Sequence, residues 1–251
     1  MEERRIYAYE LLDWIDEKLL HISALQRNPN ALNILDLKKI NIVRFRISLN
    51  ENAIDFLEKN PNQIDWRWLS ANRNAIHLLE KRPTRIDWNY LSMNANAMHI
   101  LIPNLPKVNW TYLSMNPSAI ELLEKYPIGI DWSLLSSNPN AMNLLEKNPL
   151  KIDWSSLSMN PSAIEMLEKN PSKISWRFLS ANPNALHLLE KNQEKIDWSF
   201  LSSNPSIFKR KINYKFLTER MNIIREELMK KCMHPSRLER WLENGGDTDD
   251  F

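Results

Sequence analysis

Residues 130 to 149 read IDWSLLSSNPNAMNLLEKNP, and residues 152 to 171 read IDWSSLSMNPSAIEMLEKNP. The second stretch follows the first by 22 residues and keeps its tryptophan, asparagine, alanine and leucine positions. A short fixed period is the signature of a tandem-repeat protein, in which each repeat is a small structural unit packed against its neighbours. The secondary structure of one 22-residue repeat therefore determines the fold.

The same period continues in both directions from this pair. Tryptophan recurs at Trp66, Trp88, Trp110, Trp132, Trp154, Trp176 and Trp198. Asparagine recurs over a longer span, at Asn28, Asn50, Asn72, Asn94, Asn116, Asn138, Asn160, Asn182 and Asn204. The repeats run from about residue 20 to about residue 211 and number close to nine, with residues 130–151 forming repeat 6.

The pattern of one repeat predicts two short helices, A and B. The residue before tryptophan is Asp, Asn or Ser in most repeats, as at Asp131, and such side chains cap the start of a helix. The pair Asn138-Pro139 predicts the start of helix B, because proline is tolerated at the first helical position. Apolar residues spaced three and four apart then indicate one buried helix face. A second asparagine, Asn148, followed by proline, predicts the end of helix B in a left-handed conformation.

We therefore predict an all-α fold, an α-solenoid of about nine repeats of two short helices, with a helical cap at each end. Helical hairpins this small cannot close a core alone, so stacked repeats must share one rod-like interior. The tryptophans are expected inside it as structural residues. The predicted boundaries are an N-terminal capping helix over residues 1–19, tandem repeats over 20–211, and a C-terminal helical cap with an acidic tail over 212–251.

Several repeats depart from the pattern. Ile22 and Arg44 occupy the tryptophan column, and Arg46 stands where repeat 3 has Trp68. Departures at one end are typical of terminal repeats, which face solvent or a cap. Residues 102–106 replace the usual polar segment with Ile-Pro-Asn-Leu-Pro, which indicates a local bend or an apolar patch.

The asparagine column from Asn28 to Asn204 suggests a second role for its side chains. A simple cap tolerates Asp, Asn or Ser, but all nine members of this column are asparagine. Because an amide both accepts and donates hydrogen bonds, we expect each to cap helix B and to donate to a carbonyl of the same or an adjacent repeat. Simple capping is the alternative. The serine two positions earlier is expected to bond locally. The structural asparagines include Asn72, Asn94, Asn116, Asn138, Asn160 and Asn182.

Composition and charge weigh against several classes of protein. A net charge of +2 favours neither nucleic acid nor an anionic membrane as a partner. No stretch approaches the roughly 20 apolar residues of a membrane span, and the N-terminus lacks an apolar signal-type core. We therefore expect no membrane association and no secretion. Because Cys232 is the single cysteine, an internal disulfide is excluded and a reducing compartment is expected.

No group of residues indicates catalysis, and we predict a protein that is not an enzyme and has no metal or cofactor. The sequence lacks the phosphate-binding, zinc-protease and serine-hydrolase motifs. Cys232 and His234 are close in sequence, whereas the partners of a catalytic cysteine usually meet through the fold. His77, His99 and His187 share one column, but adjacent repeats would separate such side chains by about 10 Å, too far for one metal ion.

Binding at a varied polar surface is the function that the repeats favour. Repeat scaffolds keep their interior constant and vary the face that meets a partner. Two columns vary in this way, one just after the tryptophan and one in the middle of helix B. The candidate partner-binding residues are Arg67, Asn89, Thr111, Arg177, His77, His99, Glu121, Glu165 and His187.

Two further columns carry basic and aromatic residues. The basic edge comprises Arg85, Lys107, Lys151, Lys173 and Lys195, with Gln63 and Gly129 at the same position. Nucleic-acid binding along this edge is a weaker alternative to a solvated surface. The aromatic column comprises Trp68, Tyr90, Tyr112, Phe178 and Phe200, interrupted by Leu134 and Ser156. These side chains either border the varied surface or pack between repeats.

The consensus of the repeats, NPNAIHLLEKxPxxIDWxxLSxNP, resembles tandem repeats in proteins of large nucleocytoplasmic DNA viruses of algae and amoebae. The closing stretch MHPSRLERWLENGGDTDDF also resembles a C-terminal segment of such viral proteins. The resemblance spans most of the chain and implies a viral origin, hence a location in the host cytoplasm or in the virion. It implies no particular activity.

We therefore expect a non-enzymatic repeat scaffold that binds another protein, of the host or of the virus. The alternative is a structural component of the virion, such as a minor capsid or cement protein. Nucleic-acid binding along the basic edge is the weaker alternative.

Overall fold

The computed structural model describes residues 7–32, 34, 35, 37, 39–232 and 234–244. It is mostly helical, and its many short helices recur about every 22 residues. Leu11–Lys209 forms one compact body, the repeat body, and the described parts of Met1–Glu10 and Arg210–Phe251 form a second, the terminal body.

Helix A occurs in all nine repeats and is four to six residues long. The nine A helices are Ile22–Leu25, Arg44–Leu49, Trp66–Leu69, Trp88–Ser92, Trp110–Leu113, Trp132–Ser136, Trp154–Met159, Trp176–Leu179 and Trp198–Ser202. The residue before tryptophan caps the helix as predicted, since Asp87 Oδ1 accepts from the Tyr90 N–H at 3.1 Å. Ser175 is an exception, because its side chain makes no cap hydrogen bond.

Helix B follows in repeats 2 to 8. The B helices are Ile54–Lys59, Ile76–Glu80, Met98–Leu101, Ile120–Lys125, Met142–Glu146, Ile164–Glu168 and Leu186–Lys191. A 3-10 turn leads into this segment at Arg73–Ala75, Ala95–Ala97, Pro117–Ala119 and Pro205–Ile207. In repeat 9 the strand β2, Phe208–Ile212, stands in place of helix B, and in repeat 1 the described residues form turns and bends.

A 3-10 segment after helix B completes the repeat, and the sequence did not predict it. It is three residues long except in repeat 4, where six residues include a kink at Asn104. These segments are Pro61–Gln63, Pro83–Arg85, Ile102–Lys107, Pro127–Gly129, Pro149–Lys151, Pro171–Lys173 and Gln193–Lys195. The predicted left-handed asparagine before them is wrong, because Asn148 has φ −131° and ψ 59°. Its Nδ2 instead donates to the Leu144 carbonyl at 2.9 Å. The side chain thus satisfies a carbonyl at the end of helix B while proline starts the next turn.

Leucine and alanine, rather than tryptophan, fill the centre of the core. In repeat 6, Leu135, Ala141 and Leu145 are fully buried, and their counterparts in most other repeats are buried as well. Trp132 is only half-buried, as are the other tryptophans of its column. The prediction that the indoles lie inside the core is therefore wrong, and they lie at its edge.

The asparagine column joins each repeat to the one before it. Asn138 Nδ2 donates to the carbonyls of Ser114 and Asn116, both at 2.9 Å. Its Oδ1 accepts from the Asn140 N–H at 3.0 Å, and the side chain is fully buried. The predicted link between repeats is confirmed. The predicted cap of helix B is wrong, because helix B begins at Met142 after Ala141, and Asn138 Oδ1 instead closes the turn before the helix.

The serine column forms a second link between repeats. Ser136 Oγ donates to the Trp132 carbonyl at 2.7 Å and accepts from the Asp153 N–H of the next repeat at 3.0 Å. The expected local bond is confirmed, and the same hydroxyl also links two repeats because a hydroxyl both donates and accepts. In repeat 1 Gln26 takes this place, and its Oε1 accepts from the Val43 N–H at 2.7 Å.

Both links continue from repeat 9 to repeat 1, so the nine repeats form a closed ring. Asn28 Nδ2 donates to the Ser202 and Asn204 carbonyls at 3.1 and 2.7 Å. The His21 N–H donates to Ser202 Oγ at 2.9 Å, the bond that the equivalent residue makes in the later repeats. The predicted rod-like array with a cap at each end is wrong for the repeat body, because its first and last repeats pack on each other.

The segments that enter and leave the ring also meet. The Leu12 N–H donates to the Ile207 carbonyl at 2.9 Å, and Lys209 Nζ lies 2.7 Å from Asp13 Oδ1. These contacts place the entry to repeat 1 beside the exit from repeat 9.

The predicted helix over residues 1–19 is wrong where the chain is described. Tyr7–Leu11 forms strand β1, which pairs with β2 in a two-stranded sheet, and Glu17–Leu19 forms a 3-10 turn. Aromatic residues favour strands, and β2 supplies the partner that a strand needs for its backbone hydrogen bonds. In the terminal body, Lys211 Nζ lies 2.7 Å from Glu10 Oε1.

Two helices, Tyr214–Cys232 and Pro235–Glu243, form the C-terminal part of the terminal body, where the sequence predicted helices. The predicted acidic tail lies outside the described residues, as does the side chain of Cys232.

Candidate functional site

The candidate histidines of helix B pair with glutamates of the preceding repeat. In each pair His Nε2 lies 2.9 to 3.1 Å from Glu Oε1, and the pairs are His77–Glu58, His99–Glu80 and His187–Glu168. Such exposed pairs contribute little stability. Each histidine therefore has its own carboxylate, and the described residues hold no group of three potential metal ligands.

The two glutamates of this column lie in different surroundings. Glu165 Oε1 lies 2.6 Å from Lys169 Nζ, and this hydrogen bond and charge lower the pKa of the Glu165 carboxyl. Glu121 lines a groove of about 290 Å³ together with Met98, Ile102 and Leu122. Of these two glutamates, Glu121 is the one beside an apolar groove.

Three of the four candidate residues of helix A contact the following repeat. The guanidinium of Arg67 lies 4.9 Å from the Tyr90 ring centroid, and Asn89 Oδ1 accepts from Asn109 Nδ2 at 2.9 Å. Thr111 is exposed. Arg177 lies over the Phe200 ring at 5.0 Å, and its Nε lies 3.7 Å from Asp197 Oδ2. Among the residues that the structure describes, no hydrogen bond or ion pair joins this column to the helix B column, so the candidate residues form two surfaces.

The aromatic column packs between A helices of successive repeats. Ring centroids of neighbours in the column lie 4.6 to 5.6 Å apart, and the pairs are Trp68–Tyr90, Tyr90–Tyr112 and Phe178–Phe200. In repeat 2 the column holds Arg46, and the preceding residue, Phe45, packs on Trp68 at 5.5 Å instead. Pairs at these distances stabilise adjacent elements beyond the area that they bury. Leu134 and Ser156 interrupt the stack, and Ser156 Oγ lies 3.3 Å from Ser133 Oγ.

The basic edge covers the tryptophans. Lys151 Nζ lies 4.3 Å from the ring centroid of Trp132 in the same repeat. The equivalent pairs are Lys107–Trp88, Lys173–Trp154 and Lys195–Trp176, at 4.3 to 4.6 Å. An ammonium over an indole face is attracted by the ring and still reaches water. This contact explains why the indoles stop at the edge of the core, and it gives the lysine column a role within the fold.

Repeat 5 covers its tryptophan differently. Gly129 stands in the lysine column, and a Cβ there would lie 2.9 Å from Trp110 Cβ and 3.0 Å from the indole ring. Tyr126 packs on the same indole, with ring centroids 5.5 Å apart. The glycine is therefore required by the close approach of Trp110 to the backbone.

Replacing Gly129 with alanine should lower the free energy of unfolding by about 1–3 kcal/mol, because overpacking forces the indole or the backbone to shift. Urea unfolding followed by circular dichroism measures this change. Lys151→Ala is the matched control, since it removes one exposed cation–π contact worth about 0.5–1 kcal/mol. An alanine at position 129 that leaves the unfolding midpoint unchanged would contradict the predicted clash.

The 3-10 turns of repeats 5 and 6 expose apolar side chains to solvent. Ile128 and Leu150 occupy equivalent positions and are fully exposed, at 102% and 100% of their reference areas. Tyr126 is exposed beside Ile128. We call these three residues the rim patch. At the position of Ile128 and Leu150, repeats 2, 3, 4, 7 and 8 place Asn62, Thr84, Pro106, Ser172 and Glu194, and repeat 1 places Ile40, which is half-buried. Contiguous exposed apolar side chains mark interaction surfaces more often than isolated ones do.

Two adjoining cavities of about 350 and 420 Å³ lie at the centre of the ring. Their walls include the residue before the asparagine in eight of the nine repeats. These residues are Arg27, Leu49, Ala71, Met93, Met115, Met159, Ala181 and Ser203. Sequence reasoning missed this column, because it surrounds a cavity only when the array closes.

The larger cavity combines aromatic and basic side chains. Phe45, Trp68 and Phe200 line it together with Arg27 and Arg46. The Arg46 guanidinium lies 5.2 Å from the Phe45 ring centroid. The Arg27 side chain retains accessible surface because it borders the open cavity. Protein atoms nevertheless surround its guanidinium, and this desolvation, followed by the charge of Arg46, lowers the pKa of Arg27.

No helix in the described part of the chain combines the length and hydropathy that a membrane span requires. No protein-family model matches the chain, and neither does any curated protein or solved structure. The resemblance to viral repeat proteins therefore stays a prediction.

Proposed function

We propose that the protein is a closed α-solenoid that binds another protein through the outer rim of its ring. The same two hydrogen-bond links join successive repeats and return from repeat 9 to repeat 1, which supports a continuous stack. In such a scaffold the interior residues are fixed by packing, and the outer positions are free to vary and to meet a partner.

The exposure of the rim patch carries this proposal. Ile128 and Leu150 stand on consecutive repeats, a spacing of about 10 Å for packed helical elements. Burial of each aliphatic side chain would contribute about 1.5–3 kcal/mol. Tyr126 adds an aromatic side chain, a residue type enriched at the energetic centre of interfaces. We infer a protein partner that presents an apolar recess to this patch.

Polar candidate residues would surround this apolar centre. Glu121 lines the groove beside Ile102, whose side chain is itself exposed, and Lys125 lies at the same groove. Protein interfaces commonly place charged and polar side chains at the rim of an apolar centre. This arrangement gives Glu121 a peripheral, orienting contact, with the affinity supplied by the rim patch.

Site-specific photo-crosslinking in the full chain tests the proposal. A photoreactive amino acid at position 128 or 150 should capture the same partner protein in the producing cell. Positions 84 and 172 are the matched controls, because Thr84 and Ser172 are exposed at the equivalent place in repeats 3 and 7. Equal capture at all four positions, or capture only of a second copy of the chain, would contradict the proposal.

The double variant Ile128→Thr, Leu150→Ser gives a quantitative test with residues that the chain already uses at this position. Its affinity for the captured partner should fall roughly tenfold or more, since about 1.4 kcal/mol corresponds to a factor of ten. Fluorescence anisotropy with the purified partner measures this change. An unchanged Kd would exclude the rim patch as the interface.

A further inference from the structure

Two arginines break the repeat pattern at positions that face the centre of the ring. Arg27 stands in a column that otherwise holds Leu, Ala, Met and Ser. Arg46 stands in the column that otherwise holds aromatic residues, Leu, Ser and Ala. Both line the same cavity of about 420 Å³. Two charged exceptions in neighbouring repeats therefore converge on one cavity.

Neither guanidinium has an anionic partner among the described residues. Among the described residues, neither guanidinium takes part in a side-chain hydrogen bond or an ion pair, and that of Arg46 lies over the face of Phe45. None of the described residues that line this cavity carries a carboxylate. Glu51 lines the adjoining cavity, but it lies 2.6 Å from Arg73 and is used by that pair. Like charges that share a confined space repel each other, so the pair favours an external anion.

The rest of the cavity wall offers faces for a planar group. Phe45 and Trp68 belong to repeats 2 and 3, and Phe200 belongs to repeat 9, so the closure of the ring brings them to one cavity. Aromatic side chains stack with flat rings of a ligand. The hydroxyls of Ser199 and Ser203 add hydrogen-bonding groups to the wall.

We propose that this axial cavity binds a small anion that joins a phosphate group to a planar ring, the chemistry of a nucleoside monophosphate. The guanidinium groups of Arg27 and Arg46 hold the phosphate oxygens, because a guanidinium presents paired donors that match them. The aromatic wall holds the ring. The cavity volume of about 420 Å³ falls within the range of small-molecule sites.

Isothermal titration calorimetry of the full chain with adenosine monophosphate tests this proposal. We expect one molecule bound per chain, with an affinity that falls as salt is raised. Adenosine lacks the phosphate and inorganic phosphate lacks the ring, so each should bind at least roughly tenfold more weakly. Absence of adenosine monophosphate binding, or equal binding of adenosine, would overturn the proposal. Equal binding of inorganic phosphate would overturn the role of the aromatic wall.

The repeat pattern supplies conservative variants for the same titration. Arg27→Met and Arg46→Tyr introduce residues found at the equivalent positions, Met93 and Tyr90. Each should weaken adenosine monophosphate binding roughly tenfold or more. Arg85→Gln is the charge-matched control, because Arg85 is exposed in the basic edge and repeat 2 has glutamine there. Retained binding in the double variant Arg27→Met, Arg46→Tyr would overturn the proposal.

Thermal unfolding separates binding from a structural role. Without ligand, Arg27→Met should raise the midpoint of unfolding, because it removes an uncompensated charge beside Arg46. With adenosine monophosphate the midpoint of the natural chain should rise, while that of the double variant stays constant. If Arg27 instead stabilised the fold, Arg27→Met would lower the midpoint of unfolding without ligand. A lower midpoint would therefore contradict the binding role.

Discussion

Replacing Asn138 with aspartate should lower the free energy of unfolding by about 3–5 kcal/mol at neutral pH. The Asn138 amide donates to the Ser114 and Asn116 carbonyls from a fully buried position. A carboxylate of the same shape keeps the capping oxygen but turns its second oxygen toward two carbonyl oxygens. Urea unfolding followed by tryptophan fluorescence and circular dichroism measures the loss.

The pH dependence of this variant has a defined sign. Burial beside carbonyl oxygens favours the neutral acid, so the folded state should raise the pKa of the new carboxyl above about 3.9. Stability relative to the natural chain is then highest below that value and falls as pH rises through the raised pKa. Asn140→Asp is the control for burial, because Asn140 also donates to the preceding repeat, at the Pro117 carbonyl, but is exposed. Water can replace that donor, so the expected change is below about 1 kcal/mol. Equal stability of the two variants at pH 7 would refute the asparagine link.

The variant Asn28→Asp should be destabilised as strongly, by about 3–5 kcal/mol, because the ring supplies Asn28 with carbonyl partners. These partners are Ser202 and Asn204 of repeat 9. In an open array repeat 1 has no predecessor, its amide faces water, and the same change stays within about 0.5 kcal/mol. The comparison therefore tests closure directly.

The control for this second variant is Asn62→Asp, the same chemical change at an exposed 3-10 turn. Urea unfolding of the natural chain, Asn28→Asp and Asn62→Asp under identical conditions gives the three unfolding midpoints to compare. If Asn28→Asp unfolds at the midpoint of Asn62→Asp, the ring is open in solution and the axial cavity loses one of its walls.

Features set by a few neighbouring residues could be predicted from the sequence. The period gave the repeat length, Asp131 indicated the helix A cap, and the all-asparagine column indicated a side chain that both accepts and donates. The predicted position of the indoles in the centre of the core was wrong. Periodic apolar residues indicate which side of a helix is buried, but not whether a side chain lies at the centre of the core or at its edge. Lys151, nineteen residues after Trp132, was the available signal for the edge.

Closure could not be predicted from the columns alone, because it depends on a small rotation between repeats that accumulates around the stack. One signal was present. Repeat 1 has Ile22 in place of the tryptophan and His21 in place of the Asp cap, yet it keeps Asn28. In the later repeats this asparagine amide donates to carbonyls of the preceding repeat. A first repeat that faced solvent would have no such carbonyls, so its asparagine indicated closure.

The candidate site was predicted in part. The structure places the varied columns at the surface, as expected, but several of their side chains already have partners, as His77 has Glu58 and Arg67 has Tyr90. The rim patch and the axial cavity were missed as sites. Ile128 lies in a turn that the pattern treated as a spacer, and Arg27 faces a space that exists only once repeat 9 meets repeat 1.

The bond from Asn28 to Asn204 also limits how the gene can change. Tandem arrays with free ends lengthen or shorten by unequal recombination, since one copy more or less leaves every remaining contact intact. A circle of nine copies has no such freedom, because the angle turned by each copy must still sum to a full revolution. Recombination events that insert or delete a single copy would therefore be purged, and the copy number would stay fixed while individual positions drift.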